Sequence, residues 1–563
     1  VAGAGDVNGD GIADLIVGAH GADADGNRDA GESYVVFGTA AGFDDSLDLA
    51  ALDGSDGFRL DGVDADDASG VSVAGAGDVN GDGIADLIVG AYLADPDGKT
   101  SAGSTYVVFG SANGFAASLD LGALDGTNGF RLDGVDVGDR SGFSVAGAGD
   151  VNGDGIDDLI VGAVNADADG KTLAGASYVV FGSAAGFAAS LDLAALDGAN
   201  GFRLDGVDAG DLSGRSVAGA GDVNGDGIDD LVVGAPHGDA DGKSAAGASY
   251  VVFGTAAGFA PSLDLAALDG SDGFRVDGVD AYDQSGRSVA GASDVNGDGI
   301  ADLIVGAYLA DPDGKTSAGS TYVFFGSAGG FAASLDLAAL DGSDGFRLDG
   351  VDAYDESGRS SVAGAGDVNG DGIDDLVVGA QFADADGNSS AGESYVVFGC
   401  VAGFDDSLDL AALDGTNGFR LDGVDAGDAS GLSVAGAGDV NGDGIGDLIV
   451  GASHADPEGN SSAGESYVVF GRSPLLHVTS LADTSGGNGA VTLRDALASA
   501  GTTPGANTIS FAPELAGGVI TLRAQLNVDD DVRIDGDIDN DGSPDITLDA
   551  NADGDGDAAT QLG

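Results

Sequence analysis

The stretch DVNGDGIADLIVGA, Asp6 to Ala19, decides how the rest of the chain is read. Asp6 to Asp14 hold three aspartates and an asparagine, and an apolar run follows at once. Like charges this close repel each other, so the crowding calls for a bound cation or for a turn that uses the oxygens. The stretch recurs with its first Asp at Asp6, Asp78, Asp150, Asp222, Asp294, Asp367 and Asp439, at spacings of 72, 72, 72, 72, 73 and 72 residues. The extra residue lies in SGRSSVAG at 357–364, against SGRSVAG at 285–291. A fixed period over most of a 563-residue chain marks a repeat architecture and outranks local propensity.

Each unit carries four strand-like pieces separated by Gly, Asp and Asn clusters. In the second unit they are SVAGAGD (72–78), DLIVGA (86–91), STYVVFG (104–110) and GFRLDG (129–134). The second and third are apolar on both faces, as in a strand buried on both sides. The first is almost all Gly, Ala, Ser and Val, which suits a crowded place. These features predict an all-β fold, a seven-bladed β-propeller of four-stranded antiparallel blades over residues 1–471. A solenoid is the weaker alternative, because its repeats are usually shorter and its ends need caps. The fourth piece occurs only six times, at Phe58–Gly62, Phe130–Gly134, Phe202–Gly206, Phe274–Gly278, Phe346–Gly350 and Phe419–Gly423. The chain therefore reads as part of a longer one, with the seventh outer strand supplied from upstream of Val1 unless LLHVTSL (475–481) takes its place.

The composition narrows the function. Lys plus Arg is 19 and Asp plus Glu is 96, a net charge of −77, and only six of the acids are Glu. Asp suits turns and ion loops because its short side chain reaches its own backbone or an ion the loop holds. Such a chain repels the nucleic acid backbone. Hydrophobic residues at 43% exclude a disordered acidic tail. No apolar run approaches the ~18 residues of a membrane span. Cys400 stands where other repeats have Thr39, Ser111, Ser183, Thr255 and Ser327, so it reads as one more small residue. His20, His237, His454 and His477 form no constellation, and no nucleophile–base or paired-acid arrangement breaks the repeat, so no enzymatic activity is expected.

Numbered from Asp6, the loop has side-chain oxygens at positions 1, 3, 5 and 9, a turn Gly at 6 and a main-chain carbonyl at 7. This follows the oxygen-ligand logic of a calcium loop, without the bidentate Glu at position 12. The candidate ligands are Asp6, Asn8, Asp10, Ile12 and Asp14; Asp78, Asn80, Asp82, Ile84 and Asp86; Asp150, Asn152, Asp154, Ile156 and Asp158; Asp222, Asn224, Asp226, Ile228 and Asp230. The last three loops offer Asp294, Asn296, Asp298, Ile300 and Asp302; Asp367, Asn369, Asp371, Ile373 and Asp375; Asp439, Asn441, Asp443, Ile445 and Asp447. Each isoleucine would contribute its carbonyl. Hard oxygen donors without His or Cys favour Ca²⁺ over zinc. A metal-free Asx turn explains one such loop more easily than seven with the same offsets. Seven calcium ions would leave most of the −77 unexplained, which points to a saline medium or to further ion sites.

The run SGRSVAGAGDVNGDGIDDLVVGAPHGDADG…AGASYVVFG (213–254) resembles the FG-GAP repeat of integrin α-type β-propellers, with VGAP literal at Val233–Pro236. The resemblance covers about 1–471 and departs at the FG before the first strand, which here is Ser213–Gly214. It implies a non-catalytic, calcium-stabilised, secreted or cell-surface module used in adhesion, whose partner is an extracellular protein or a glycan. A lectin-like binder and an accessory domain of a larger secreted hydrolase are the alternatives. It also places ligands on the face opposite the calcium loops. Antiparallel connectivity builds that face from the second-to-third loops and the loops that enter each unit. There Arg215, Arg287 and Arg359 follow the SG, against Val71, Phe143 and Leu432 elsewhere. Tyr282 and Tyr354 replace Asp66, Gly138, Gly210 and Gly427, and Tyr308 and Phe382 open nearby loops. Arginine and aromatic residues gathered in this way are hot-spot chemistry.

After RSP (472–474), residues 472–563 read as a linker and the start of another domain. VTLRDALASA (491–500) predicts a short helix with Leu493 and Leu497 on one face, and TISF, VITL, VRID and ITLD predict strands. The segment resembles the beginning of a right-handed parallel β-helix of bacterial surface proteins. Asp537, Asp539, Asp541 and Asp545, then Asp549, Asn551, Asp553 and Asp557, repeat the 1-3-5-9 spacing and would bring the calcium sites to nine.

Overall fold

The computed structural model describes residues 1–472 and, beyond them, 477–478, 480–482, 491–500, 507–511, 515, 518–521, 532–534, 546–549 and 560–562. The chain divides into two compact units. The first holds Val1–Gly366, Ile373–Asn441 and Asp447–Phe470; the second holds Asp367–Gly372, Gly442–Gly446 and Gly471–Gly563.

The first unit is a seven-bladed β-propeller. Its innermost strands are Ala2–Gly5, Ser72–Gly77, Ser141–Gly149, Ser216–Gly221, Ser288–Ser293, Val362–Gly366 and Ser430–Gly438. Each touches the next, and Ala2–Gly5 also touches Ser430–Gly438, so the ring closes. Small residues make this crowding feasible. A Cβ on Gly147 would stand 2.9 Å from the carbonyl oxygen of Gly75, and one on Gly3 would stand 2.9 Å from that of Gly436. Within a blade the strands pair antiparallel in sequence order, as Ser72–Gly77, Asp86–Ala91, Ser104–Val108 and Gly129–Asp133 do in the second.

Successive side chains of a strand point to opposite faces, and here both faces are core. Leu87 packs with Ile16, Val35 and Phe58 of the first blade, while Ile88 packs with Leu159, Val161 and Tyr178 of the third. Blade seven meets blade one through Val440 and Ile449 against Leu15 and Val36.

The blades are not simply four-stranded. The connection between third and fourth strands, expected to be a loop, contributes a three-residue strand to the preceding blade. Ser190–Asp192 pairs in parallel with Arg131–Asp133, and the same addition makes five-stranded sheets of blades one to five. The sequence signal was short: three residues, then a turn capped by Asp192, whose side chain accepts from the Ala194 N–H. The same connection carries Phe187, which stacks on Phe130 at 4.1 Å and 6°. Each repeat thus latches the outer edge of its predecessor, and an edge strand left unpaired is a liability. Blade six has four strands and blade seven three, Ser430–Gly438, Asp447–Ala452 and Glu465–Val469. The latch of the first repeat therefore finds no described outer strand, and its Leu47 is 46% exposed. Of LLHVTSL, the described His477–Val478 pairs with Asn507–Phe511.

In the second unit the helix forms at Leu493–Ala500 with Leu493 and Leu497 buried, capped by Thr492 and Asp495, which exchange N–H bonds. Asn507–Phe511 also pairs in parallel with Val532–Ile534, and Val519–Thr521 with Ile546–Asp549, while Ile546–Asp549 and Thr560–Leu562 run antiparallel. Most of the expected β-helix lies outside the described residues, as do Asp537, Asp539, Asp541, Asp545, Asn551, Asp553 and Asp557; Asp549 ends a strand.

Candidate calcium loops and the opposite face

The repeated loop winds around its first aspartate. Asp6 Oδ1 accepts from the N–H groups of Gly9 at 2.7 Å and Asp10 at 3.0 Å, and Oδ2 accepts from Gly11 at 2.8 Å. Asn8 Oδ1 accepts from Asp10 N–H, and Asp10 Oδ1 from Ile12 N–H. Gly11 has φ +91° with open space where a Cβ would stand, so conformation and not room demands glycine. The same pattern recurs at Asp78, Asp150, Asp222 and Asp294. Asp367 likewise accepts from Asp371 and Gly372, and Asp443 from Ile445.

Position nine does more than the spacing suggests. Asp14, Asp86, Asp158, Asp230 and Asp302 are fully buried. Asp14 Oδ2 accepts from Val7 N–H at 2.9 Å and Oδ1 from Gly38 N–H at 2.8 Å, which ties the loop to the end of the third strand. Asp158 does the same with Val151 at 3.1 Å and Gly182 at 2.8 Å. Burial, and then the nearby loop aspartates, push Asp14 and Asp158 up to about 7 despite these donors. A buried carboxylate whose charge is this poorly compensated, beside exposed oxygens at positions one, three and five, is donor chemistry that suits a hard divalent cation. The side chains are folded onto backbone N–H groups, and among the described residues no three acidic, His or Cys side chains form a metal-holding group.

Position eight was missed. Where it is Asp, it reaches the preceding loop: Asp157 Oδ2 accepts from Asp78 N–H at 2.8 Å and Asp229 Oδ2 from Asp150 N–H at 2.9 Å. Ala13, Ala85 and Ala301 cannot. The alternation of IDD with IAD was visible in the sequence, but nothing in one repeat says that its target lies a blade away. Cys400 behaves as its small counterparts do: its N–H donates to Val295 O, as that of Ser111 does to Val7 O.

At the other end of the blades, the entering loops bond to the second-to-third loops, as Ala68 N–H does to Asp29 O and Leu93 N–H to Asp67 O. The structure brings together Arg215, Arg287, Arg359, Tyr308 and Phe382 and adds Arg140, Tyr92 and Phe143. Arg215 lies over Phe143 at 4.3 Å, and Arg140 over Tyr92 at 5.8 Å. Tyr92 meets Phe143 edge-on. Tyr308 takes Arg287 at 5.7 Å and Arg359 at 5.2 Å, and donates from its hydroxyl to Gln284 Oε1. Arg359 also lies 5.2 Å from Phe382 and pairs with Glu356. Tyr282 and Tyr354 make none of these ring contacts and are 64% and 66% exposed. Arg140 carried no alignment signal, since it falls three residues before the position that holds Arg215 in the next repeat, whereas Tyr92 did carry one, standing where Tyr308 stands three repeats later. His20, His237 and His454 are exposed and scattered.

Seven closed antiparallel blades with a repeated acidic loop define a repeat β-propeller. The FG-GAP repeat family matches at residues 1–36, 69–108, 141–180, 213–252, 285–324, 359–397 and 430–469, and the chain is an FG-GAP repeat propeller of integrin α type. It is 29% identical over 270 residues to integrin alpha-5 of Xenopus laevis, covering 47% of this chain and 21% of that protein. It is 32% identical over 260 residues to integrin alpha pat-2 of Caenorhabditis briggsae, covering 43% and 18%. It is 35% identical over 168 residues to a phosphatidylinositol-glycan-specific phospholipase D of Bos taurus, covering 30% and 18%. The chain thus spans about a fifth of the length of these relatives. No helix among the described residues is long and apolar enough to cross a membrane.

Proposed function

We propose that the chain is a calcium-stabilised extracellular propeller, secreted or on a cell surface, that holds a ligand on the face opposite its calcium loops and performs no catalysis itself. The observation that carries this reading is the loop. Seven copies put oxygen donors at the same offsets beside a buried carboxylate, and extracellular calcium modules bind at ~10⁻⁴–10⁻³ M with such sets. When bound, the ion would supply positive charge to each loop. Asp6, Asn8, Asp10 and Asp14, the Ile12 carbonyl and their counterparts in the other six loops would hold it. The chain's own part is to keep position one wrapped by the turn and position nine anchored to the third strand.

The energetic consequence is large. At free calcium ten times the dissociation constant, each site adds about 1.4 kcal/mol, or on the order of 10 kcal/mol for seven. That rivals the stability of a whole domain. Equilibrium dialysis or calorimetric titration of the calcium-stripped chain is expected to count about seven sites, with two more if the loops at Asp537 and Asp549 also bind. A count of zero or one would sink the reading.

A second reading is favoured by the similarity to the phospholipase D: the propeller is then an accessory module of a longer secreted hydrolase. Sequencing beyond both ends of this segment separates the two, because a hydrolase reading requires a catalytic domain on the same chain.

A further inference from the structure

In a chain with 19 basic residues against 96 acids, four guanidiniums converge at the central mouth of one propeller face with a single carboxylate among them. The contrast with the other arginines is sharp. Arg59, Arg131, Arg203, Arg275, Arg347 and Arg420 each pair with the aspartate two residues on, at 2.5–2.6 Å. Among the described residues Arg140, Arg215 and Arg287 have no acid within 4.0 Å. We propose that this arginine cluster is an anion site, and that its ligand is an acidic polysaccharide whose carboxylate or sulfate groups the free guanidinium edges receive.

Three features lead there. Arg215 lies over the Phe143 ring at 4.3 Å, and Arg287 and Arg359 over the Tyr308 ring at 5.7 and 5.2 Å. Ring contact of this kind consumes no N–H donor, so Arg215 and Arg287 keep theirs for a planar or tetrahedral oxyanion. The cluster is also uncompensated: burial, then Arg287, Arg359 and Arg140, lower Arg215 to about 10, a cost that a bound anion would relieve. Finally, the two blades that bring Arg287 and Arg359 also project Tyr282 and Tyr354 from the same face. These tyrosines take φ +75° and +74°, where Gly138, Gly210 and Gly427 serve in other repeats. A bulky residue in that region costs energy, and such strain tends to persist where a site uses it. Exposed rings on the same face as fork donors fit a sugar chain that bears acids better than they fit an acidic peptide, which offers no flat sugar face to stack on.

The proposal rests on reading this face as the ligand face and adds the ligand's chemistry. The test immobilises a polyuronate oligosaccharide, a sulfated oligosaccharide and a neutral oligosaccharide of equal length, with an acidic peptide alongside. The full chain is passed over each in calcium. Binding to either acidic oligosaccharide but not to the neutral one is expected, and which binds identifies carboxylate or sulfate as the partner. Arg215→Ala with Arg287→Ala should weaken that binding at least tenfold with an unchanged melting temperature. Should that pair fail to fold, Tyr282→Gly with Tyr354→Gly, at exposed positions, should still weaken it severalfold. Wild-type binding to neither acidic oligosaccharide, equal binding to the neutral one, binding to the acidic peptide alone, or full retention in folded variants would each overturn the proposal. Calcium counting is independent, so a failed glycan assay with about seven calcium ions bound would leave the broader reading standing.

Discussion

The two faces of the propeller are made by the same repeats yet differ in what repeats. On the loop face the side chains recur with the backbone: positions one and nine make the same bonds at nearly the same distances through the first five blades. On the opposite face the backbone recurs but the side chains do not, so arginines and aromatic rings collect on blades two to six. Where every copy must solve one folding problem, the copies stay alike. Where only one site per molecule is needed, individual blades are free to differ.

That contrast breaks most visibly on the loop side. Asp158→Ala removes the acceptor for the buried Val151 N–H and the half-buried Gly182 N–H, each worth about 1–3 kcal/mol when left unpaired. We expect a loss of about 2–5 kcal/mol in urea unfolding, with ligand binding by the folded fraction unchanged. Phe187→Ala removes the ring stacked on Phe130 and loosens the latch between neighbouring blades, at a cost of about 2–3 kcal/mol in the same measurement.

A smaller effect comes with pH. Asp67, Asp139, Asp211, Asp283 and Asp355 are buried in the entering loops, and burial pushes each up to about 6. An acid with a raised folded pKa binds more protons folded than unfolded between its two values. These groups therefore make stability fall as pH rises from about 4 to about 6, and add no slope above that. Urea midpoints at pH 4, 5 and 6 should show the decline, and Asp211→Asn should lessen it by about a fifth, one of the five groups. Smallest of all, Tyr282→Gly should stabilise the fold by up to about 1 kcal/mol by removing left-handed strain while it weakens ligand binding. A loss of stability there would mean that the ring is packing, not waiting for a ligand.

The repeat made most of the architecture legible. Period, strand pattern and small-residue inner strands led to seven blades, because each of them reports burial that every copy shares. The latch was not legible, because Ser190–Asp192 is three residues long and its partner, Arg131–Asp133, belongs to the preceding repeat. Position eight escaped for the same reason: Asp157 acts across a blade boundary that one repeat cannot display. At the face opposite the aspartate loops the sequence pointed to Arg215, Arg287 and Arg359 by comparison of aligned positions. Arg140 joined them only in three dimensions, since ring closure brings an unaligned residue to the same mouth, whereas Tyr92 aligns with Tyr308 and was legible. Tyr282 and Tyr354 stood out in the sequence as departures from the repeat, but their exposure and positive φ belong to the backbone and not to the alphabet.

The claim that the aspartate loops hold the fold together through calcium is tested most directly by scanning calorimetry of the chain in millimolar calcium and again in excess chelator. A melting temperature that climbs steadily with calcium and drops by at least ten degrees in chelator is the expected result, given on the order of 10 kcal/mol from seven sites. An unfolding transition that stays in place when calcium is removed would contradict it.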